Sequence, residues 1–332
     1  MKGGVLLTGA RGAIGPTVAE GLAEAGYEVR QFDRAVVPAS GDCDPGRQVR
    51  GDLADEACVR EAVRGMDYVV HLAAILDTGA ARLEPDSEMW RVNVQGTRNL
   101  VEAAVAAGVK RVVLFSSTSV YGATSAEPVT EAAPVRPVSA YAKSKVEAEK
   151  LALGARRQDG TPLAVVLRLA AVYGPRVRGN YRRLITALDK GRFVPFGSGD
   201  NLRTLVYVED VARAAVLALE QDAAAGGVFN VTDGRVHPMR EIIESICAAL
   251  GRNPPRWHLP GWPFRLCRRL MAKNPELFRK RFLAPAAAMM VYFDHSAVDG
   301  SKACRELGFQ PGFELRRGME ETVRQMRTWK KL

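Results

Sequence analysis

Tyr141 and Lys145 stand four residues apart in the run Tyr141-Ala142-Lys143-Ser144-Lys145. On a helix that spacing puts a phenol and an ammonium on one face. Such a pair can move a proton. A free tyrosine titrates near ~10, too high for a base at neutral pH. A neighbouring cation favours the phenolate and lowers that value. The spacing alone also arises by chance on lysine-rich helices, so its meaning depends on what the chain builds before it.

What comes before is a glycine loop. Thr8-Gly9-Ala10-Arg11-Gly12-Ala13-Ile14-Gly15 lies between an apolar run at 5–7 and a helical pattern reaching about residue 25. In that setting Gly9 permits the tight turn, Gly12 lets backbone approach a pyrophosphate, and Gly15 allows close helix–strand packing. Arg11, Ala13 and Ile14 complete the loop, and the helix start offers free N–H groups to phosphate. A dinucleotide is implied, and an oxidised nicotinamide ring would add a second positive charge favouring the Tyr141 phenolate. Asp33 closes the second strand, where an acid bonds the adenosine ribose hydroxyls and repels a 2′-phosphate. This favours NAD over NADP, although Arg11 or Arg34 would suit a 2′-phosphate. Asp52 and Leu53 follow the third strand, where they fit an adenine-edge contact; a solvated turn acid is the other reading.

Strand-like and helix-like patterns alternate through the first half, as in a parallel sheet with crossover helices. Strands are expected at 28–32, 47–50, 68–72, 112–115 and 163–169, with helices at 56–64, 87–107 and from 139 onward. Beyond residue 173 the pattern loosens. Helices are expected at 181–190, 209–221, 239–250, 301–307 and 315–329, and strands at 205–208 and 228–231. The division that follows is a nucleotide domain of residues 1–173 and about 205–232. A smaller, discontinuous C-terminal lobe takes about 174–204 and 233–332.

The 332 residues suffice for such a pair of units, and 47% apolar content is that of an ordinary globular chain. No window approaches the ~18–20 apolar residues of a membrane span. The N-terminus runs straight into a strand with no room for a signal peptide, so a cytoplasmic location is expected. Cys43, Cys58, Cys247, Cys267 and Cys304 are scattered. They support neither disulfides nor a metal site and read as small, mostly buried hydrophobes. The net charge of +10 calls for an anionic partner, and nucleotide phosphates are the simplest. No nucleic-acid module accompanies the charge. Residues 256–281 hold eight basic side chains against Glu276, with Trp257, Trp262, Phe264 and Phe278 among them. This stretch reads as a cap on the substrate site, a plain cover of the lobe, or a peripheral contact with an anionic membrane.

The loop is followed by His71-Leu72-Ala73-Ala74, Asn93-Val94-Gln95-Gly96-Thr97, Ser116-Ser117-Thr118-Ser119-Val120-Tyr121-Gly122, the Tyr141/Lys145 pair and Val172-Tyr173-Gly174-Pro175. With these motifs the chain resembles the extended short-chain dehydrogenase/reductases, the family of NAD-dependent epimerases and dehydratases. The resemblance continues more faintly through Tyr207-Val208-Glu209-Asp210-Val211 and Leu307-Gly308-Phe309-Gln310-Pro311, nearly the whole chain. It implies an α/β fold, a Rossmann-type doubly wound parallel sheet with a smaller C-terminal substrate lobe. It implies a triad of Ser117, Tyr141 and Lys145, in which Ser117 and Tyr141 contact the substrate oxygen and Lys145 holds the cofactor ribose. A loop hydroxyl that caps a turn is the bland alternative for Ser117. Leu72, Ala73 and Ala74 become part of a cofactor-binding turn, with His71 structural and Asn93 either structural or supporting the site. Arg203 and Asn180 match positions that bind the diphosphate in the family's sugar-nucleotide enzymes.

Ala171 stands where such epimerases have asparagine, and no Arg-Pro-Gly-Asp-like element precedes Asp299. The Ser117-Thr118-Ser119 stretch lacks the acidic groups of the 4,6-dehydratases and uronate decarboxylases. The expected activity is oxidation of a nucleotide-sugar hydroxyl, netting epimerisation at C4. An NAD(P)-dependent dehydrogenase or reductase of a hydroxysteroid-like or other lipid alcohol is the alternative. The resemblance also implies a homodimer through helices at 87–107 and 139–154.

Overall fold

The computed structural model describes residues 1–35, 48–76, 87–195, 197–255, 258–260 and 294–329. Apart from residues 258–260, the basic, aromatic stretch at 256–281 lies outside the described residues.

Numbered along the chain, β1 (Gly4–Thr8), β2 (Glu28–Asp33), β3 (Gln48–Arg50), β4 (Tyr68–His71), β5 (Arg111–Ser117), β6 (Ala164–Leu169) and β10 (Val228–Val231) form one sheet. Its order is β10-β6-β5-β4-β1-β2-β3, and every pairing is parallel. Helices cover both faces, so the inner strands are apolar on both sides rather than alternating. In β1, Val5 and Leu7 enter one core layer while Leu6 enters the other. The first layer receives Val18 and Leu22 of α1 (Gly15–Glu24) and Val211 and Ala215 of α6 (Val208–Glu220). The second receives Val59 and Val63 of α2 (Glu56–Val63), Leu100 and Val101 of α3 (Glu88–Ala106), and Ala148 and Ala152 of α4 (Ala140–Gly154). Each fully buried large aliphatic contributes roughly 1.5–3 kcal/mol, so these layers set where the strand ends fall.

α3 departs from the single regular helix expected at 87–107. It runs Glu88–Trp90, widens into a π-turn at Arg91–Gln95 and resumes as Gly96–Ala106. A wide turn shifts the phase of the helix and often marks a functional site; here it holds Asn93. Gly96 lets that helix approach the chain after β3, since a Cβ there would come 2.7 Å from Leu53 Cβ.

The open edge at β10 is closed by side chains. The Asn230 N–H donates to Glu131 Oε1 at 2.7 Å, and Lys302 Nζ donates to the Val228 carbonyl at 3.0 Å. Such charged groups prevent pairing with another strand.

A third core packs Leu184 and Ile185 of α5 (Asn180–Asp189) with Ile242 and Ile246 of α7 (Met239–Leu250) and Met319 and Val323 of α9 (Leu315–Thr328). Two small sheets accompany it: β7 (Ala171–Tyr173) with β9 (Leu205–Tyr207), and β8 (Leu202–Arg203) with β11 (His237–Pro238). Tyr173, Leu205 and Tyr207 are buried in this core, although the sequence division placed them with the nucleotide domain. Conversely α8 (Ser301–Leu307), inside the range drawn for the smaller lobe, buries Ala303 and Leu307 in the first sheet layer. Among the described cysteines Cys247 is buried, Cys58 is half-buried and Cys304 is exposed, which departs from the expectation of buried thiols for the last.

Candidate active site

At the carboxyl ends of β1 to β4 lies a groove of about 170 Å³, partly open to solvent. Gly9, Gly12, Asp33, Arg34, Asp52, Leu53, Leu72, Ala73 and Ala74 line it, and Phe32, Gly51, Ile75 and Val92 complete the wall. These last four carried no sequence signal of their own; they arrive because their strand and helix ends converge.

Gly9 has φ +69°, and a Cβ there would sit 2.7 Å from Ala73 N and Cα. Only glycine fits between the two turns. A Cβ on Gly15 would lie 2.3 Å from the Ala10 carbonyl oxygen, so this glycine closes the loop on itself rather than packing a helix on a strand. No side chain caps α1, which leaves its start available to an anion. Asp33 accepts the Arg11 N–H at 3.0 Å and the Ala35 N–H at 3.1 Å, which orients its carboxylate at the groove. The residues therefore fit a dinucleotide, with an acid at one end and a side-chain-free turn in the middle.

Arg34 and Asp52 also make contacts outside the groove, while Arg11 and Ile14 lie away from it. Arg34 Nη1 donates to Glu88 Oε1 at 3.0 Å, a solvent-facing pair of roughly 0–1 kcal/mol. Arg11 is exposed and lines an adjoining cleft with Gln31, Gln48 and Arg50, on the other side of Asp33. Ile14 packs against two of the apolar cores. Asp52 lines the groove while accepting the Ala54 N–H at 2.9 Å, so it is also a turn acid.

Tyr141 and Lys145 sit in the first two turns of α4. Ser139 caps this helix by accepting the Ala142 N–H at 3.0 Å. Lys145 Nζ lies 5.8 Å from the Tyr141 ring centre and donates to the Phe115 carbonyl at 2.8 Å. Ser117 is the last residue of β5, and its Oγ accepts the Ser119 N–H at 3.2 Å, the turn-capping bond expected of the bland alternative. Its neighbour Ser116 is buried and donates to Glu149.

The phenol differs from the sequence expectation. Burial pushes Tyr141 up to about 12 and Lys145 down to about 8. The protein alone does not acidify Tyr141. Desolvation raises the phenol, and the Lys145 ammonium donates to the Phe115 carbonyl rather than to the phenol oxygen. The lowering foreseen from the sequence therefore depends on its second source, the positive nicotinamide ring.

A buried hydrogen-bonded chain ties this helix to the groove. Thr97 donates its hydroxyl to the Asn93 carbonyl at 2.7 Å, so its oxygen accepts from His71 Nε2 at 3.0 Å. His71 Nδ1 must then accept from the Thr8 hydroxyl, 2.6 Å away. The imidazole is neutral, and burial holds it down at about 3. Asn93 Nδ2 donates to Ser144 Oγ at 2.9 Å and to the Ile75 carbonyl at 3.0 Å, and its Oδ1 accepts the Ile75 N–H at 2.7 Å. The residue before Lys145 is thus fastened to the groove wall. His71 and Asn93 act here as structural residues.

In the smaller lobe Arg203 lies on β8, paired across from His237, and is 8% exposed. His237 Nε2 meets Asp233 Oδ2 at 2.8 Å, and the two carboxylates of Asp233 and Glu241 outweigh burial and raise the imidazole. Asn180 is the first residue of α5 and is exposed.

Residues 5–232 match the model of the NAD dependent epimerase/dehydratase family. The chain is 28% identical to the N-acetyl-alpha-D-glucosaminyl-diphospho-ditrans,octacis-undecaprenol 4-epimerase of Escherichia coli O157:H7, over 97% of this chain and 95% of that protein. It is 31% identical to a 3-beta-hydroxysteroid dehydrogenase of Mycolicibacterium neoaurum, over 97% and 90%. Among solved structures it resembles MoeE5 in complex with UDP-glucuronic acid and NAD, with a TM-score of 0.74, 30% identity, and coverage of 98% and 100%.

Proposed function

The chain belongs to the NAD dependent epimerase/dehydratase family, and from that premise we propose that it is an enzyme that epimerises a nucleotide-linked sugar at C4 using NAD. One observation carries the reading. Tyr141 and Lys145 share a face of α4, and the Ser144–Asn93–Ile75 bonds tie that helix to the wall of the glycine-turn groove.

When bound, NAD supplies the hydride acceptor. The chain's own residues do the rest. Asp33 holds the adenosine ribose, and the Gly9–Gly12 turn with the start of α1 receives the pyrophosphate. Lys145 reaches the second ribose. Tyr141 takes the proton of the substrate hydroxyl and returns it, while the Ser117 hydroxyl bonds the same oxygen. Arg203 offers a planar fork to the substrate diphosphate, and Asn180 approaches the same group from α5. Nucleotide-sugar complexes of structural relatives support this substrate class. Relatives named as 4-epimerases support the position. No described helix is long and apolar enough to cross a membrane. The protein works in the cytoplasm as a homodimer, through the outer faces of α3 and α4.

The test is conversion of UDP-glucose to UDP-galactose by purified protein with NAD, followed by chromatography. Tyr141→Phe is expected to lower turnover by roughly 10²–10⁴-fold with NAD binding intact. Wild-type turnover in that variant refutes the assignment of Tyr141. The similarity to a hydroxysteroid dehydrogenase defines the competing outcome. In that case nucleotide sugars stay unchanged while a free steroid alcohol gives stoichiometric NADH absorbance.

A further inference from the structure

α4 carries a third charged group beneath the proton-moving pair. Glu149 lies four residues beyond Lys145, and the two are 4% and 3% exposed. Its Oε1 accepts from Ser116 Oγ and from Arg168 Nε at 3.0 Å, and its Oε2 accepts from Arg168 Nη2 at 2.7 Å. Arg168, on β6, passes Nη1 to the Tyr121 hydroxyl at 2.9 Å, and Tyr121 donates to Asn230 Oδ1 at 2.8 Å. Three ionisable groups of alternating sign are therefore buried in sequence: ammonium, carboxylate, guanidinium. A buried ion pair seldom stabilises a fold better than apolar side chains of equal volume. Stability alone is a poor account of this carboxylate.

We propose that Glu149 is a positioning residue for the acid/base pair. Clamped to β6 by the Arg168 fork and to β5 by Ser116, its carboxylate keeps the buried Lys145 ammonium charged beside Tyr141. The groups around Lys145 come from four elements. From its own helix come Tyr141 and Glu149; from β4, the neutral His71; from β5, the Phe115 carbonyl; and from β6, Arg168 behind Glu149. Burial opposes the ammonium, and Glu149, one turn further along the same helix face and also buried, is the negative charge that supports it. An uncharged lysine would leave the phenolate without its protein counter-ion. Glu149 touches neither substrate nor cofactor; it acts through Lys145.

The inference rests on the proposed role of Tyr141 and Lys145. Its experiment reads Lys145 directly, in the full chain with NAD. Lysine labelled at Cε with ¹³C is titrated by NMR, and Lys145→Met assigns the signal. Glu149→Gln is expected to lower the Lys145 midpoint by about one unit or more. An unchanged midpoint in a folded variant overturns the proposal, because a merely structural role lowers the melting temperature and leaves the midpoint in place. Glu149→Gln orphans Arg168, so the double variant Glu149→Gln/Arg168→Met removes that charge as well. It is expected to show a smaller shift in the same direction, and an upward shift or none there also overturns the proposal. Full turnover by Tyr141→Phe would instead sink the reading of the site. An inactive Tyr141→Phe beside an unmoved Lys145 midpoint sinks this inference alone.

Discussion

Replacing His71 by Gln should change how the protein's stability depends on acid. In the native state the imidazole accepts from Thr8 at Nδ1 and donates to Thr97 from Nε2. Protonation would put a donor where the Thr8 hydroxyl already donates, inside a site only 1% exposed. Burial therefore depresses the group from 6.5 to about 3. The sign follows: the unfolded chain binds the proton first, so stability is full above the unfolded value and is lost as pH falls toward the folded one. At roughly 1.4 kcal/mol per unit, this single group removes about 2 kcal/mol between about pH 7.5 and about pH 5. His237 is raised by its carboxylates and acts with the opposite sign, but it is the same in both proteins and cancels. Urea unfolding of wild type and His71→Gln at those two pH values gives the difference. The variant should be less stable at neutral pH by about 1–3 kcal/mol and lose about 2 kcal/mol less on acidification. Equal acid losses in both proteins would refute the neutral, doubly bonded imidazole.

Gly15→Ala places a methyl 2.3 Å from the Ala10 carbonyl oxygen and 2.5 Å from that of Gly9. The loop must shift, so NAD affinity measured by calorimetry should fall by about tenfold or more, with overpacking costing about 1–3 kcal/mol in stability. Asp33→Asn removes the negative charge facing the groove while keeping one acceptor oxygen for the Arg11 or Ala35 N–H. The ratio of NAD to NADP affinity should fall by about tenfold, and an unchanged ratio would show that Asp33 does not set cofactor choice.

The local elements were legible because their residues report local physics. The apolar runs of β1, β5 and β6 and the Gly loop each follow from periodicity or turn chemistry. The strand order was not spelled out by any one segment, although the β–α alternation restricts it to parallel crossovers. Nine of the cofactor-binding residues singled out from the sequence, Arg34 among them, line one groove. Arg11 and Arg34 were ambiguous in sequence because a surface guanidinium suits a phosphate and a carboxylate alike; the fold turns Arg34 to Glu88. The smaller lobe was harder to delimit. Whether Tyr173 or Leu307 belongs to one core or another depends on which helices arrive beside it, and spacing along the chain carries no trace of that.

By itself the sequence determined which chemistry the chain can perform, since a phenol and an amine four residues apart and a glycine turn before a helix are local facts. The tertiary structure decided the state of those groups. It half-buried Tyr141 and buried Lys145 so that desolvation moves both away from their solution behaviour, and it brought Glu149, Arg168 and Ser116 from a helix and two strands into one hydrogen-bonded chain. Protonation depends on the solvent excluded and the charges brought near, and both are properties of the packed molecule.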